Sequence, residues 1–214
     1  MPSSKVNEKP HQYSMEIIDP VKNSAYPALI SPWTFIGLAF AAQVAGSIVV
    51  SVLLGLTLRE VAWPIALLIV GGIHAFIVRF WLSANYTRWK QHWVPAAFYS
   101  GFIFLLSHSS FAQTTSSIDT NSFHPLEYAA LGLFLCWMGH TLLRTERAWG
   151  LALRVFAGGM LFAVLDELHQ SFVPYRTPSF ADLLLDGIGL ALGIGFFFLT
   201  GHFWGAWEKN VKSD

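Results

Sequence analysis

The sequence predicts an all-α, polytopic membrane protein with about six transmembrane helices and both termini in the cytoplasm. Three observations support this fold class. Of the 214 residues, 54% are hydrophobic and only 12% are charged, six apolar runs follow one another, and the basic residues concentrate in alternate gaps. Soluble domains carry about 25% charged residues, and a soluble chain of this size has no core large enough for so much apolar surface.

The six apolar runs are each long enough to form a membrane-spanning segment. They cover residues 34–58, 63–82, 94–111, 124–143, 148–172 and 180–204. Each has the roughly 17 to 25 residues that cross about 30 Å of hydrocarbon. Helices are expected in all of them, because a lipid-exposed strand would leave backbone groups without hydrogen-bond partners. The third run is the most marginal, since Ser and His interrupt it.

The runs and the gaps between them divide the chain into four parts. Residues 1–32 form a polar N-terminal leader, and 33–92 form an N-terminal transmembrane pair with its cytoplasmic loop. Residues 93–204 form a four-helix transmembrane domain, and 205–214 form a cytoplasmic C-terminal tail. The first apolar run begins too late, and is too long, for a cleaved signal peptide.

The basic residues determine the predicted orientation. With six spans, 11 of the 13 Lys and Arg residues lie on the side of the termini and the even-numbered gaps, and only Arg59 and Arg176 lie on the other side. Basic residues are enriched on the cytoplasmic side of membrane proteins, so both termini are expected there. Tryptophans near span ends, such as Trp63 and Trp149, fit the aromatic belts at the two membrane interfaces.

Charge and cysteine content exclude two protein classes. The formal net charge is zero, which argues against a nucleic-acid partner because such proteins carry a basic patch. The single cysteine, Cys136, excludes an internal disulfide framework. Membrane lipids are the expected partners of so apolar a chain.

Ionisable residues gather where three predicted spans reach the extracytoplasmic face. Span four begins with "FHPLEYAALG", span five ends with "LDELHQSF", and the turn "VPYRTPSF" leads into span six. Segments 124–128 and 166–186 are therefore expected to meet at one membrane face. Their polar members are His124, Glu127, Tyr128, Asp166, Glu167, His169, Gln170, Arg176, Asp182 and Asp186.

Several of these acids lie far enough into the spans that they should face the bundle interior. An acidic side chain at mid-bilayer costs about 2.5–3.5 kcal/mol even on a lenient scale. Asp166 and Gln170 are four residues apart and share a helix face, as do Asp182 and Asp186. One arginine, Arg176, cannot neutralise four acids, so the remaining acids must be protonated, bind a cation or meet a cationic ligand.

The motifs "HPLEYAALG", "DELHQSFVPYR" and "DLLLDGIGLALG" together resemble the VanZ family of membrane proteins. That family pattern has a His-x-x-Glu-Tyr opening, an acidic-Glu-x-x-Gln element, a Pro-x-Arg turn and an Asp that opens a glycine-bearing helix. The similarity covers about residues 94–204 and leaves spans one and two as an added pair, for dimer contacts or partner docking. It implies a protein of the bacterial cytoplasmic membrane and cell envelope, in a family whose founding member is tied to resistance against the glycopeptide teicoplanin.

The sequence departs from this family pattern at two positions. A lysine often precedes the family histidine by three positions, where this chain has Asn121. A glycine usually precedes the arginine of the turn, where this chain has Tyr175. Both differences change charge or shape beside the predicted site, so the ligand can differ from that of relatives.

We interpret the polar cluster as a candidate site with two kinds of residue. The candidate catalytic residues are Glu127, Asp166, Glu167 and Asp182, and the candidate ligand-binding residues are His124, Tyr128, His169, Gln170, Arg176 and Asp186. Three alternatives remain open: an ion-pair network that joins two helices, a His124–Glu127 pair bonded to the 173–179 turn, and a site for a divalent metal. The metal ligands would be drawn from His124, Glu127, Asp166, Glu167 and His169, although their spacing matches no established zinc motif.

Other polar and glycine residues receive simpler interpretations. His108 lies at the outer end of span three and is a further candidate member of the site, whereas His74 and His140 are expected to bond neighbouring helices. Gly189 and Gly193 form a small-xxx-small face that lets another helix approach closely. They do not follow a strand, so a nucleotide-binding loop is excluded.

Three functional hypotheses follow. In the first, the cluster binds or processes a polar group of an envelope lipid or peptide, as a membrane-embedded hydrolase or transferase would. A carboxylate such as Glu167 or Asp182 then acts as general base, and Arg176 holds a phosphate or carboxylate. In the second, the protein is a binding module without catalysis. The third, a proton-coupled carrier, has the least support because the acids lie at one face only.

Overall fold

The computed structural model describes residues 32–81, 92–109, 123–142, 148–174 and 176–211, and these are helical apart from turns. The helices are α1 (Pro32–Leu54), α2 (Leu58–Phe80), α3 (Val94–His108), α4 (His124–Leu142), α5 (Ala148–Gln170) and α6 (Phe180–Val211). They overlap the six predicted spans in the same order, so the all-α prediction is confirmed, although α1 ends four residues before its predicted span and α2 begins at residue 58. Residues 1–31 of the predicted leader, Asn121 and Tyr175 lie outside the described residues.

Four of the helices are long and apolar enough to cross a membrane: Trp33–Leu54, Arg59–Phe80, Ala148–Gln170 and Phe180–Thr200. The protein is therefore a helical membrane protein. The expectation of at least 17 residues in every span is wrong for α3, which has 15 residues and a length of about 22 Å. This helix ends at His108 because the backbone of Ser109 is extended. Complete crossing by α3 and α4 and the cytoplasmic position of the termini stay predictions.

The surface of the helix bundle is apolar and part of its interior is polar. Large side chains such as Val52, Leu153 and Phe172 are exposed, while Asp166 and Asp186 are buried. In a soluble domain exposed apolar patches are small, whereas a surface in contact with lipid is expected to be apolar throughout. The fold therefore places Asp166 and Asp186 in the bundle interior, as the depth argument predicts.

The turn between α1 and α2 is formed by a glycine and a helix cap. Gly55 has a φ of 70°, a backbone conformation that favours glycine because it lacks a Cβ atom. The N–H of Leu56 donates to the carbonyl of Ser51, 2.9 Å away. Glu60 accepts a hydrogen bond from the N–H of Thr57 at 2.7 Å, which satisfies a backbone donor at the start of α2. These contacts make α1 and α2 a tight helical hairpin.

All six helices contribute to one hydrophobic core. Its largest side chains come from α1 to α4: the ring of Phe40 stacks on Phe134 with centroids 4.8 Å apart, and Tyr99 lies 5.0 Å from Phe134. Ala163 of α5 and Leu190 of α6 complete the core. The first two helices are thus packed against the other four.

Helix α6 is longer than its predicted span. The prediction ends span six at residue 204 and assigns 205–214 to a cytoplasmic tail, but the helix continues to Val211. Within α6, the segment Phe180–Thr200 has the length and hydropathy to cross a membrane. The helical path therefore continues past the apolar segment and through most of the predicted tail.

Candidate functional site

The close contact between α4 and α6 depends on glycine residues in both helices. A Cβ atom at Gly193 would collide with the backbone of Ala129, and one at Gly189 would collide with the backbone of Pro125. On the facing helix, a Cβ atom at Gly132 would lie 2.8 Å from an α6 carbonyl oxygen. The prediction that Gly189 and Gly193 permit a close helix approach is confirmed. This approach determines the geometry of the polar residues at the same end.

The α4–α6 contact brings His124 against Asp186. The His124 Nδ1 and Asp186 Oδ1 atoms lie 2.8 Å apart and both side chains are buried. The Tyr128 ring lies one turn further along α4, nearly parallel to the imidazole ring, with centroids 6.4 Å apart. On α6, Asp182 is buried one turn before Asp186. Four predicted site residues from two helices therefore lie together.

Asp166 joins α5 to α3. Its Oδ2 atom accepts a hydrogen bond from the Ser107 hydroxyl at 2.7 Å and one from the Gln170 amide at 3.2 Å. All three side chains are buried. Because hydrogen bonds to a carboxylate are stronger than those between neutral groups, these contacts give the Asp166 side chain a defined orientation.

Glu167 is held by the turn that leads into α6. Its Oε2 atom accepts a hydrogen bond from the backbone N–H of Ser179 at 2.8 Å. In the same turn, the backbone N–H of Arg176 donates to the backbone carbonyl of Val173 at 3.2 Å. The Arg176 guanidinium donates to the carbonyl oxygen of Ser109, at the end of α3, at 3.3 Å. The turn therefore connects α3, α5 and α6 at the end of the bundle where the acids lie.

His169 lies apart from the buried acids. Its Nε2 atom is 3.3 Å from Nδ1 of His108, at an exposed position. Its ring also stacks on Phe104 of α3, with centroids 4.3 Å apart. His108 and His169 therefore form a surface pair between α3 and α5, and the structure brings neither of them into the group formed by His124 and the acids.

Three buried carboxyl groups each have one oxygen atom without a hydrogen-bond partner among the described residues. These atoms are Asp166 Oδ1, Glu167 Oε1 and Asp186 Oδ2. The Tyr128 hydroxyl is also buried and without such a partner. One ligand atom each from His124, Glu167 and Asp186 lie within 4.8 Å of one another, as the donor atoms of a metal site would. A buried polar atom without a partner costs about 1–3 kcal/mol, so a bound ion or polar group would be favourable here.

A cleft of about 120 Å³ begins beside these residues. One end is polar, and the side chains that line it are Ser107, His124, Glu127, Gln170 and Arg176. Glu127 is half-buried at this end. The cleft thus exposes five hydrogen-bonding side chains from α3, α4, α5 and the following turn to a common space.

The remaining wall of the cleft comes mainly from α1 and α2. On α1 the lining extends from Gln43 through Gly46 and Val50 to Leu54, and on α2 it includes Val61 and Ile65. Leu54 is 11 residues after Gln43, a helical distance of about 16 Å. The cleft therefore joins a polar end to a wall from α1 and α2 that is mostly apolar and carries three polar residues, Gln43, Ser47 and Ser51, on α1.

Sequence reasoning missed the donors on α3 and the contribution of α1. Ser107 lies in the third run, which its polarity makes marginal as a span, and its hydroxyl donates to Asp166 across helices. On α1, the polar residues Gln43, Ser47 and Ser51 line the cleft. Their spacing of four residues places them on one helix face. That period is visible in "QVAGSIVVS" and could have identified α1 as part of the site.

A family model described as VanZ/LLP1 matches residues 65–201, which is more than half of the 214 residues. No curated protein and no solved structure matches the chain. The match begins within α2, so it covers more of the chain than the motif resemblance over 94–204. It includes every residue predicted for the site.

Proposed function

The chain belongs to the VanZ/LLP1 family, and from that premise we propose that its cleft binds a phosphate-bearing headgroup of an envelope lipid. The lipid enters from the extracytoplasmic side of the cytoplasmic membrane, and its tail lies along α1 and α2. One observation carries this proposal: a single cleft joins five polar side chains to a mostly apolar wall. An amphipathic ligand has this same division between a polar head and an apolar tail.

The depth of the cleft supports a lipid as the ligand. Its lining on α1 extends from Gln43 to Leu54, or about 16 Å along the helix axis. Half of the roughly 30 Å hydrocarbon core is about 15 Å. A tail that follows α1 from the polar end would therefore reach about the middle of the bilayer, as a tail in one leaflet does.

The volume of the cleft supports a headgroup-sized ligand with its tail outside. A cavity of about 150 Å³ in another protein holds one benzene molecule, and this cleft has about 120 Å³. Such a space holds a phosphate and the first carbon atoms of a chain, but not a complete lipid. The rest of the tail would then lie outside the cleft, against the exposed apolar surface of the bundle.

Phosphate is the headgroup chemistry that the lining residues favour. Arg176 lines the polar end, and the planar guanidinium group binds phosphate oxygens through two hydrogen bonds. His124 and Gln170 line the same end and supply further donors. Glu127 would accept a hydrogen bond from a hydroxyl or a protonated phosphate oxygen.

Filling the cleft tests this proposal. Gly46 lines the cleft, and a Cβ atom added at this position meets no atom within 4 Å, so we expect Gly46→Phe to place its ring in the cleft without a backbone collision. Protein purified in a mild detergent is mixed with a polyisoprenyl phosphate and examined by native mass spectrometry. We expect one bound lipid per wild-type chain and at least a tenfold loss of occupancy in Gly46→Phe.

Gly195→Phe is the matched control for this experiment. Gly195 is also exposed in a helix, with open space around a Cβ atom, and it does not line the cleft. Its lipid occupancy should equal that of the wild type. Equal occupancy in Gly46→Phe and Gly195→Phe would show that lipid binds elsewhere on the surface, and the cleft proposal would then be wrong.

The proposed orientation has its own test. Phe172 follows α5 and Trp81 follows α2, and both side chains are exposed. In a Cys136→Ser background, Phe172→Cys should react with a membrane-impermeant maleimide in intact spheroplasts. Trp81→Cys should react only after lysis. The opposite pattern would place the polar end of the cleft in the cytoplasm.

Hydrolysis or transfer at the headgroup is a second candidate function, because Glu127 lines the polar end of the cleft. A carboxylate within reach of a bound phosphate could activate water as a general base. Release of inorganic phosphate from a lipid phosphate, abolished in Glu127→Gln while lipid binding persists, would establish catalysis. Binding without turnover would identify a binding module.

A role in teicoplanin resistance is an extension of the binding proposal. A protein that binds envelope lipids at the outer leaflet could alter access to surface precursors. Expression in a teicoplanin-sensitive host should then raise the inhibitory concentration at least twofold. The Gly46→Phe variant, at equal abundance, should give no increase.

A further inference from the structure

We propose that His124, Glu167 and Asp186 form a binding site for one divalent transition-metal cation of the Mn²⁺ or Zn²⁺ type. The site belongs to the interior of the bundle: of these three residues only His124 lines the cleft. The metal site is tested separately from lipid binding through Glu167 and Asp186, which do not line the cleft.

The geometry of the three residues is close to that of a metal site. One ligand atom from each lies within 4.8 Å of the other two. Tetrahedral coordination with metal–ligand distances of about 2.0–2.2 Å places donor atoms about 3.3–3.6 Å apart. The longest separation would therefore shorten by up to about 1.5 Å, through rotation of the carboxylate side chains toward the ion. The ligands come from three helices, which fixes their relative positions.

Oxygen atoms without partners provide the second, independent observation. Asp186 is 0% exposed and Glu167 is 8% exposed. Each has a buried oxygen, Oδ2 and Oε1 respectively, without a hydrogen-bond partner among the described residues. Both carboxyl groups lie in the cluster that also contains the His124 ring nitrogen. A cation would bind these oxygen atoms, which otherwise remain desolvated without compensation.

The surrounding residues hold the ligands in position. The Ser179 N–H donates to the second oxygen of Glu167 at 2.8 Å. The neighbouring Asp166 is held by Ser107 and Gln170 through its Oδ2 atom, and its Oδ1 atom is buried without a partner. Metal ligands are typically oriented by such outer hydrogen bonds. Asp166 is therefore a candidate for a fourth ligand, reached directly or through water.

The chemistry of the ligands indicates the type of cation. An imidazole nitrogen suits transition metals, and carboxylate oxygens suit Mg²⁺ and Mn²⁺. A mixed set of one imidazole and two carboxylates therefore favours Mn²⁺ or Zn²⁺ over Ca²⁺. This set differs from the ligands that the sequence suggests, because Asp186 enters it and His169 pairs with His108 instead.

Metal binding to the purified full-length protein tests the proposal. The protein is stripped with a chelator and titrated with Mn²⁺ and with Zn²⁺ by calorimetry, and Co²⁺ is added as a spectroscopic probe. We expect one ion per chain. Glu167→Gln and Asp186→Asn should each weaken binding at least tenfold and change the Co²⁺ absorption spectrum.

Two controls identify the site. Glu60→Gln removes an exposed acid at the start of α2 and should leave metal affinity unchanged. A double variant, His108→Gln with His169→Gln, removes the surface histidine pair, and its binding should also equal that of the wild type. Loss of the ion in the histidine variant, with retention in Asp186→Asn and Glu167→Gln, would assign the metal to the surface pair and overturn the proposal.

Folding of the variants is measured separately, by thermal unfolding in chelator. Wild-type protein should unfold at a higher temperature when Mn²⁺ or Zn²⁺ is added, because the ion binds the folded state. Glu167→Gln and Asp186→Asn should remain folded but show no such rise. If the wild type also shows no rise and binds no ion, the site does not hold a metal. The lipid experiment with Gly46→Phe is independent of either result.

Discussion

The two sides of the bundle differ in how closely their helices approach. Between α4 and α6, glycines at 132, 189 and 193 bring the backbones into direct contact, with no space for a Cβ atom. Between α1 and the α3–α4 side, a cleft remains, and Gly46 on its wall has open space around it. Glycine residues allow backbone contact between α4 and α6, whereas on α1 a glycine leaves open space in the cleft.

This difference assigns separate tasks to the two sides. The α4–α6 contact holds His124 and Asp186 at hydrogen-bond distance, so the polar groups have a fixed geometry. The α1–α2 hairpin supplies a mostly apolar wall beside them. A ligand that enters the cleft would meet groups already in position, which reduces the entropy lost on binding. Substitutions on the contact side should therefore change stability, and those on the cleft side should change binding.

Gly193→Ala should have the largest effect. The new Cβ atom would collide with the Ala129 backbone, which cannot move without separating α4 from α6. Overpacking costs about 1–3 kcal/mol where side chains can adjust, and a backbone collision should exceed that range. We expect little folded protein, as judged by size-exclusion chromatography. Gly195→Ala, which meets open space, is the control, and equal yields of both variants would contradict the close-contact account.

A double-mutant cycle on His124 and Asp186 should give the next largest effect. Asp186→Asn and His124→Gln each remove the buried pair, whose atoms lie 2.8 Å apart. We expect a coupling free energy of about 1–3 kcal/mol, measured by thermal unfolding in detergent without added metal. Additive single-mutant effects would mean that the two residues do not interact in the folded protein.

Ser107→Ala should have a smaller effect, and Ser51→Ala the smallest. The Ser107 hydroxyl donates to Asp166 across two helices, so its removal should destabilise the protein by about 1 kcal/mol. The Ser51 hydroxyl donates to the carbonyl of Ser47 within α1. Removal of this hydroxyl should lower the free energy of unfolding by only a few tenths of the roughly 1 kcal/mol expected for Ser107→Ala. Both serines are buried, so equal destabilisation would contradict the role of Ser107 as a link between helices.

Most of the fold could be predicted from the sequence, because lipid imposes simple rules on it. Apolar length identified six helices, and the glycines at 189 and 193 predicted the close helix contact. The length of α3 could not be predicted, since it depends on where the extended backbone of Ser109 ends the helix. The extension of α6 to Val211 was missed because hydropathy marks the apolar segment and not the helix end.

The site was less accessible to sequence reasoning. Acids at predicted helix ends on one membrane face indicated a cluster, and the structure brings His124, Asp182 and Asp186 together. Which of the other predicted residues join the cluster depends on the direction of their side chains. His169 is two residues from Glu167, yet it points to His108 and Phe104. The α1 wall depends on tertiary packing between segments more than 50 residues apart, which one sequence alone does not specify.

Photocrosslinking tests most directly whether one lipid phosphate occupies both the polar end of the cleft and its α1–α2 wall. A polyisoprenyl phosphate with a diazirine near its headgroup is irradiated with the protein in nanodiscs, and labelled residues are mapped by peptide mass spectrometry. Labels should concentrate on Val50, Leu54 and Val61, which line the cleft, and should decrease when unlabelled lipid phosphate competes. Labels spread evenly over Leu153, Leu192 and other exposed residues of α5 and α6, unaffected by competitor, would show that the cleft does not receive the lipid.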